Sequence, residues 1–385
     1  MEPESDTARQ PLVTAGFDVV ADAFFRTIPE GGTVPESGGS GAALSVWIDG
    51  APVVDLWGGI ADARTGEPFQ PDTLSVIFSC TKGLASVVVA MLMERGELPP
   101  LDTPVAELWP EFGAHGKERV TIGDALAHRA GLSAPRRDLT PEEALDDLAV
   151  ADVIAAQEPL WVPGEHHQYH AGTHGSITSK LVMLATDKSM SRCFAEYVAG
   201  PLQADAWIGL PTSEEHRVSY QVEDPALFDE QQGDSADTYW VERATSYLGS
   251  KDGFNTPRLH RAELAAVSGI ATASGLARIW SATVTQTNGV RLINDDTVRS
   301  LRQPRSVGAP RFAGPPPYQS WGAGVMVPSD WERYLTLDSF GHDGAGGQVA
   351  FADPGAKIGF AYLTNQMGDW TRGQSVVAAL SRALG

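Results

Sequence analysis

Cysteine is almost absent from this chain of 385 residues: Cys80 and Cys193 are the only two. Two thiols cannot build a disulfide framework or a cysteine-rich metal site. Lysine is nearly as scarce. Lysines and arginines together number 28 against 49 carboxylates, for a formal net charge of −21. So acidic a surface disfavours nucleic acid and anionic membranes as partners. No apolar run reaches the length of a membrane-spanning helix. The start of the chain carries Glu2, Glu4 and Asp6, without the basic residues and apolar stretch of a secretory signal. A cytoplasmic protein is expected on these grounds. Also lacking are an H-E-x-x-H motif, a carboxylate-rich loop and a G-x-S-x-G elbow. The expectation is therefore no metal, no cofactor and no α/β-hydrolase architecture.

What is present is ordinary globular material, 42% apolar and 20% charged, enough for one large domain or two intertwined ones. Met1–Ala23 reads as a tail running into a helix around Phe17–Thr27, and the Gly-, Pro- and Ser-rich stretch Gly31–Gly41 as a loop. Ala43–Ile48 and Pro52–Trp57 are apolar runs separated by Asp49-Gly50, a hairpin signal. From Thr81 the period changes. Leu84, Val87, Val88, Met91 and Leu92 fall on one face of a helix closed by Gly96. Glu142–Gln157, His174–Leu184 and Glu263–Thr283 continue the helical pattern. Gly347–Ala352 and Ile358–Thr364 return to strands, and Val376, Ala379, Leu380 and Ala383 mark a last amphipathic helix. Strands at both ends with helices between predict an α/β (α+β) fold. The sheet would be antiparallel and built from 1–114 together with 301–385. A mainly helical domain would be inserted at 115–300, with the site in the cleft between the two.

Three motifs carry chemistry. Ser79 and Lys82 are three residues apart at a predicted helix start, so their side chains share a face. Serine needs a neighbour to take its proton, and a buried lysine can do so because burial lowers its pKa. The helix N-terminus also offers free N–H groups to an oxyanion. On its own the pair is a weak signal and reads as a surface helix start, since Ser and Lys meet at that spacing by chance in many proteins. The second motif is Trp161-Val162-Pro163-Gly164 followed by Tyr169, whose hydroxyl could relay a proton. The third is Gly341-His342-Asp343-Gly344-Ala345-Gly346-Gly347, where small residues ahead of a strand let substrate approach the backbone.

Ser79-x-x-Lys82, Tyr169 and His342-Asp343-Gly344, in that order, resemble the class C β-lactamase and penicillin-recognising superfamily, specifically its family VIII carboxylesterase branch. In that branch the first motif persists, Tyr-x-Asn is reduced to its tyrosine, and Lys-Thr-Gly becomes His- or Trp-x-Gly. His128-Arg129-Ala130-Gly131-Leu132, Tyr169-His170-Ala171-x-Thr173-His174-Gly175 and the stretch Gly344–Pro354 match as well, so the resemblance spans roughly residues 40 to 385. It implies a serine β-lactamase-like fold and an acyl-enzyme on Ser79. Lys82 and Tyr169 would share the acid and base work, and the N–H groups of Ser79 and Ala345 would form the oxyanion hole. His342, Asp343, Gly344 and His170 would line the substrate cleft, and His128 would support the inserted domain. Ala171 stands where the lactamases have an asparagine, and His342 where they have a cation. Both departures turn the expectation from β-lactams towards esters.

The expected partner is a small-molecule acyl donor, an ester or amide, with water resolving the acyl-enzyme. The same residues would serve a transacylase that moves an acyl group from an ester or thioester to an amine or alcohol, as in antibiotic and other natural-product biosynthesis. A non-catalytic penicillin-sensor-like module is the third reading. His166, His167, His170 and His174 crowd around Tyr169, where cleft lining and loop hydrogen bonding are expected rather than metal binding. Cys80 is expected as a small buried residue. Trp161, Trp321 and Trp370 are candidates for either an acyl-pocket wall or core packing.

Overall fold

Strand β1 (Leu12–Val13) pairs with β3 (Ala51–Asp62), which forms a hairpin with β2 (Gly41–Ile48). Asp49 and Gly50 at its tip both have positive φ, 49° and 81°, as a type I′ turn requires. The remaining strands are β4 (Glu67–Pro68), β5 (Ser75–Val76), β6 (Ala206–Ile208), β7 (Gly269–Ala271), β8 (Ser320–Trp321), β9 (Met326–Val327), β10 (Phe340–Asp343), β11 (Val349–Asp353) and β12 (Ile358–Thr364). This computed structural model describes residues 10–28, 39–222, 236–246, 253–312, 314–368 and 370–385. Residues 1–9 of the expected tail and 31–38 of the Gly31–Gly41 loop lie outside the described residues.

The main sheet has nine strands in the order β1-β3-β2-β12-β11-β10-β9-β8, with β4 paired to β3. Its centre joins the two ends of the chain: β12 pairs antiparallel with β2, from Ile358 opposite Ile48 to Thr364 opposite Ala42. Alternation along these strands assigns the two faces. Ala42, Leu44, Val46, Val349, Phe351, Phe360 and Tyr362 point to a core shared with α1 (Asp18–Phe25) and the C-terminal helix Thr371–Leu384. Ala43, Ala350, Ala352 and Ala361 point the other way, into a core with α2 (Cys80–Glu94) and the helix Ala273–Val284. The middle of the second face is made of small side chains, with Trp47, Phe340 and Leu363 further along the strands, so the helix Ala273–Val284 approaches it closely. A Cβ at Gly359 would lie 2.2 Å from the Ala277 carbonyl oxygen.

Three expectations change. Every residue of α2 from Cys80 to Leu92 is buried, where the pattern indicated a single buried face. The helix runs between the sheet and the helix Thr173–Thr186, so it has no solvent side. The helical run expected at Glu263–Thr283 begins only at Ala273, with the Thr272 side chain capping it by accepting from Gly275 N. Residues ahead of it form β7, the middle strand of a small sheet β5-β7-β6. The helix Ala273–Val284 belongs to the sheet layer, so in packing terms the insertion expected at 115–300 ends before residue 273.

Candidate active site

The backbone turns sharply into α2. Ile77 N donates to Gly269 O, tying β5 to β7. The next residue, Phe78, has φ +47°. A non-glycine residue in that region costs roughly 1–2 kcal/mol, and side chains on both flanks hold it there. Thr81 Oγ1 donates to Phe78 O at 2.5 Å and accepts from Gly269 N at 2.9 Å. The Phe78 ring packs edge-on against Phe254, with centroids 4.7 Å apart. The turn leaves Ser79 as the residue that caps α2. Among the described residues the Ser79 N–H donates to no protein group.

Lys82 follows one turn later and is fully buried. Its Nζ lies 3.1 Å from Ser79 Oγ and donates to Ala266 O at 3.0 Å. Burial brings its pKa down to about 7, partly opposed by the negative charge of Asp147. Close to neutrality this amine is therefore present in substantial part as a free base. Tyr169 completes the triangle, its hydroxyl donating to Ser79 Oγ at 2.7 Å. Burial pushes the phenol pKa up, against a smaller lowering from the Ser79 hydrogen bond. The phenol keeps its proton under conditions where Lys82 is losing one. Its ring stacks on Trp321, centroids 5.1 Å apart at 14°, and sits 4.8 Å from Lys82 Nζ.

The histidines behind Tyr169 serve the loop. The Nε2 of His170 accepts from Leu132 N at 3.2 Å, and its Nδ1 is 2.6 Å from Gln168 O. His170 N in turn donates to His128 Nδ1. Burial lowers the His170 pKa to about 4 and takes those of His128 and His174 well below their usual value. The side chain expected to line the cleft, His170, is thus turned into the loop with both nitrogens engaged. His128 edges against both Tyr169 and Trp321 and so braces the stacked pair. Trp161 packs on His170 and donates to His166 O, a supporting position rather than a pocket wall.

Strand β10 divides the third motif between the sheet faces. His342 points towards Tyr169 and Trp321, with ring centroids 6.2 and 5.4 Å away. Its Nδ1 bonds Asp343 O at 2.8 Å, its Nε2 has no partner among the described residues, and burial lowers its pKa to about 3. Asp343 points to the opposite face, where Tyr334 donates to its Oδ1 at 3.0 Å and burial raises its pKa. Its side chain therefore does not reach the cleft. Gly344 packs so closely on the turn before Ser79 that a Cβ there would lie 2.7 Å from Ile77 O. Trp370 Nε1 fixes the Gly344 carbonyl at 3.1 Å. The next residue, Ala345, is exposed, and its N–H donates to no protein group among the described residues. Cys80 is fully buried, its Sγ donating to His342 O at 3.0 Å, and burial raises its thiol pKa.

The structure thus brings Ser79, Lys82, Tyr169, His342 and the Gly344-Ala345 turn together, and turns His170 and Asp343 elsewhere. It also adds a residue that sequence reasoning missed. Asp147 is buried in the inserted helices and accepts from Ser176 Oγ, Ser179 Oγ and Ala265 N at 2.8–2.9 Å. Burial raises its pKa to about 6. Through Ala265 it anchors the segment whose next carbonyl, Ala266 O, holds Lys82 Nζ. The sequence offered only an unremarkable Asp146-Asp147 pair at a helix start.

The site is a serine hydroxyl held by a buried amine of lowered pKa and a protonated phenol, beside two free backbone N–H groups. Similarity to known proteins agrees with that chemistry. The family described as Beta-lactamase matches residues 21–381. The esterase/beta-lactamase LipL of Mycobacterium tuberculosis is 31% identical over 348 residues, covering 85% of this chain and 77% of that protein. Esterase EstB of Burkholderia gladioli is 44% identical over 162 residues, 37% of this chain and 40% of EstB. Among solved structures, a family VIII carboxylesterase superposes with a TM-score of 0.84 at 30% identity, over 97% of this chain and 99% of the other. EstA from Arthrobacter nitroguajacolicus Rue61a superposes at 0.86 with 27% identity, over 98% and 99%. The chain belongs to the beta-lactamase family and is a serine hydrolase on that fold.

Proposed function

We propose that the protein hydrolyses small uncharged esters through an acyl-enzyme on Ser79. The observation that carries this reading is the convergence of Lys82 Nζ and Tyr169 Oη on Ser79 Oγ, at 3.1 and 2.7 Å. Lys82 is the base, because it alone of the two gives up its proton near neutral pH. As Ser79 Oγ bonds to the ester carbonyl carbon, its proton passes to Lys82. The free N–H groups of Ser79 and Ala345 receive the oxyanion. When the bond to the alcohol oxygen breaks, Tyr169 gives that oxygen its proton and regains one from Lys82. Water then repeats the sequence in reverse on the acyl-enzyme, releasing the acid and restoring Ser79. His342 supports an uncharged substrate: buried, neutral and bonded to Asp343 O, it offers no cation to a β-lactam carboxylate.

Steady turnover of p-nitrophenyl butyrate, abolished in Ser79→Ala, is the expected result. It would also dispose of a penicillin-sensor-like role, which acylates without turnover. An unchanged rate in Ser79→Ala would overturn the reading. Adding benzylamine or an alcohol to the turning-over enzyme decides between water and another acceptor. Diversion of most of the butyryl group into amide or ester would move the assignment to a transacylase.

A further inference from the structure

Tyr169 faces two ways. Its hydroxyl meets Ser79 Oγ at 2.7 Å, and the residue also lines a cavity of about 190 Å3 that opens on the surface. Trp321, stacked on Tyr169, continues the wall, and Pro310, Pro317, Tyr318 and Trp331 complete it. Trp331 is 39% exposed at the rim, one of the largest apolar side chains the protein leaves open to water. Among the described residues, no Asp, Glu, Lys or Arg lines this cavity. The imidazole in the lining, His167, is held neutral because burial lowers its pKa to about 4. The polar side chains in the lining are uncharged: the amides of Gln168 and Gln319 and the hydroxyl of Tyr318, which donates to Gly314 O. A space walled by flat rings and prolines, without charge, favours a flat apolar group, and aromatic pairs add about 0.5–1.5 kcal/mol beyond area burial. Apolar cavities of roughly 150 Å3 accept a benzene ring.

Resting on the ester-hydrolase reading above, we propose that this cavity is the alcohol-side subsite and that it selects esters of flat, uncharged aryl or arylmethyl alcohols. The assignment of side follows from the proton transfer. When the C–O bond of the ester breaks, the departing oxygen must lie within hydrogen-bond reach of Tyr169 Oη to take its proton. The carbon skeleton attached to that oxygen then extends along the Tyr169 ring, towards Trp321 and Trp331. The acyl chain, bonded to Ser79 through its carbonyl carbon, leaves in another direction. The same cavity would seat an aryl alcohol entering in the reverse step.

The test compares butyrate esters of benzyl alcohol and of 2-methoxyethanol, alcohols of similar acidity, with wild type, Trp331→Ala and Tyr318→Ala. Both positions lie outside the catalytic groups. The expected result is a KM for the benzyl ester raised about tenfold by Trp331→Ala, equivalent to about 1.4 kcal/mol, with kcat unchanged. Tyr318→Ala should act in the same direction, and the methoxyethyl ester should be unaffected by either. Equal effects on both esters, or none on either, would overturn the subsite while turnover itself left the hydrolase reading standing. A Trp331→Ala enzyme with altered acyl-chain preference on methyl esters would place the acyl group in this cavity and refute the assignment. Preference for a choline ester over its uncharged 3,3-dimethylbutyl isostere would refute the uncharged alcohol.

Discussion

The two sides of Ser79 are built differently. On one side Lys82 is sealed from water, held by Ala266 O and, through Ala265, by Asp147 in the inserted helices. On the other side Tyr169 stands between the serine and an open, uncharged aromatic cavity. The closed side tunes a pKa, which requires burial and fixed partners. The open side meets the variable part of a substrate, which requires access and shape. Changes on the closed side should therefore alter kcat and its pH dependence, and changes on the open side should alter which ester is used.

The largest expected effect is on the closed side. Lys82→Ala should lower kcat for p-nitrophenyl butyrate by at least about 10³-fold, and the Ser79→Ala/Lys82→Ala double variant should be no worse than Ser79→Ala, because groups acting as a unit are not additive. A double variant far worse than both singles would break the unit. Tyr169→Phe keeps the stack on Trp321 and removes only the hydroxyl. Steady-state kinetics should show a loss of about 10²-fold in kcat, larger for alkyl than for nitrophenyl esters, whose leaving oxygen needs no proton. An equal loss for both would remove Tyr169 from the acid role.

A subtler effect concerns pH. Activity that depends on neutral Lys82 should rise with pH through an inflection near the lysine's pKa of about 7. The neighbouring His128, His174 and His342 have lowered values and Tyr169 and Cys80 raised ones. Lys82, at about 7, and Asp147, at about 6, lie between these. Asp147→Asn keeps an acceptor for Ala265 N but removes a negative charge that favours the protonated amine. The inflection in kcat/KM should therefore move to lower pH. A shift upward, or none with kcat unchanged, would detach Asp147 from the lysine. The smallest effect is expected on the open side: Trp331→Ala should leave turnover of methyl butyrate within about twofold of wild type, as for most exposed positions.

How much of this the sequence showed follows from what kind of information each feature needs. Ser79 and Lys82 were legible because the three-residue spacing and the helical period are local. The hairpin at Asp49-Gly50 was legible for the same reason. Tyr169 and His342 were legible only as a set with the first motif, since neither is distinctive alone. Asp147 was invisible because its connection to Lys82 passes through the backbone of Ala265 and Ala266, more than a hundred residues further along the chain. Asp343 and His170 looked like site residues by proximity to Gly344 and Tyr169. A strand's alternation sent one to the other face of the sheet, and the loop around Tyr169 turned the other inward. The start of the helix at Ala273 was misplaced because the short strand β7, only Gly269–Ala271, is too brief to interrupt an apolar pattern.

The most direct test of the central claim is peptide mass spectrometry after treatment with an alkyl fluorophosphonate, which traps an activated serine without needing turnover. The expected result is one phosphonyl adduct, on the peptide containing Ser79, with labelling above pH 7 faster than below it and absent in Lys82→Ala. Labelling at another residue, or unchanged labelling of Ser79 in Lys82→Ala, would contradict it.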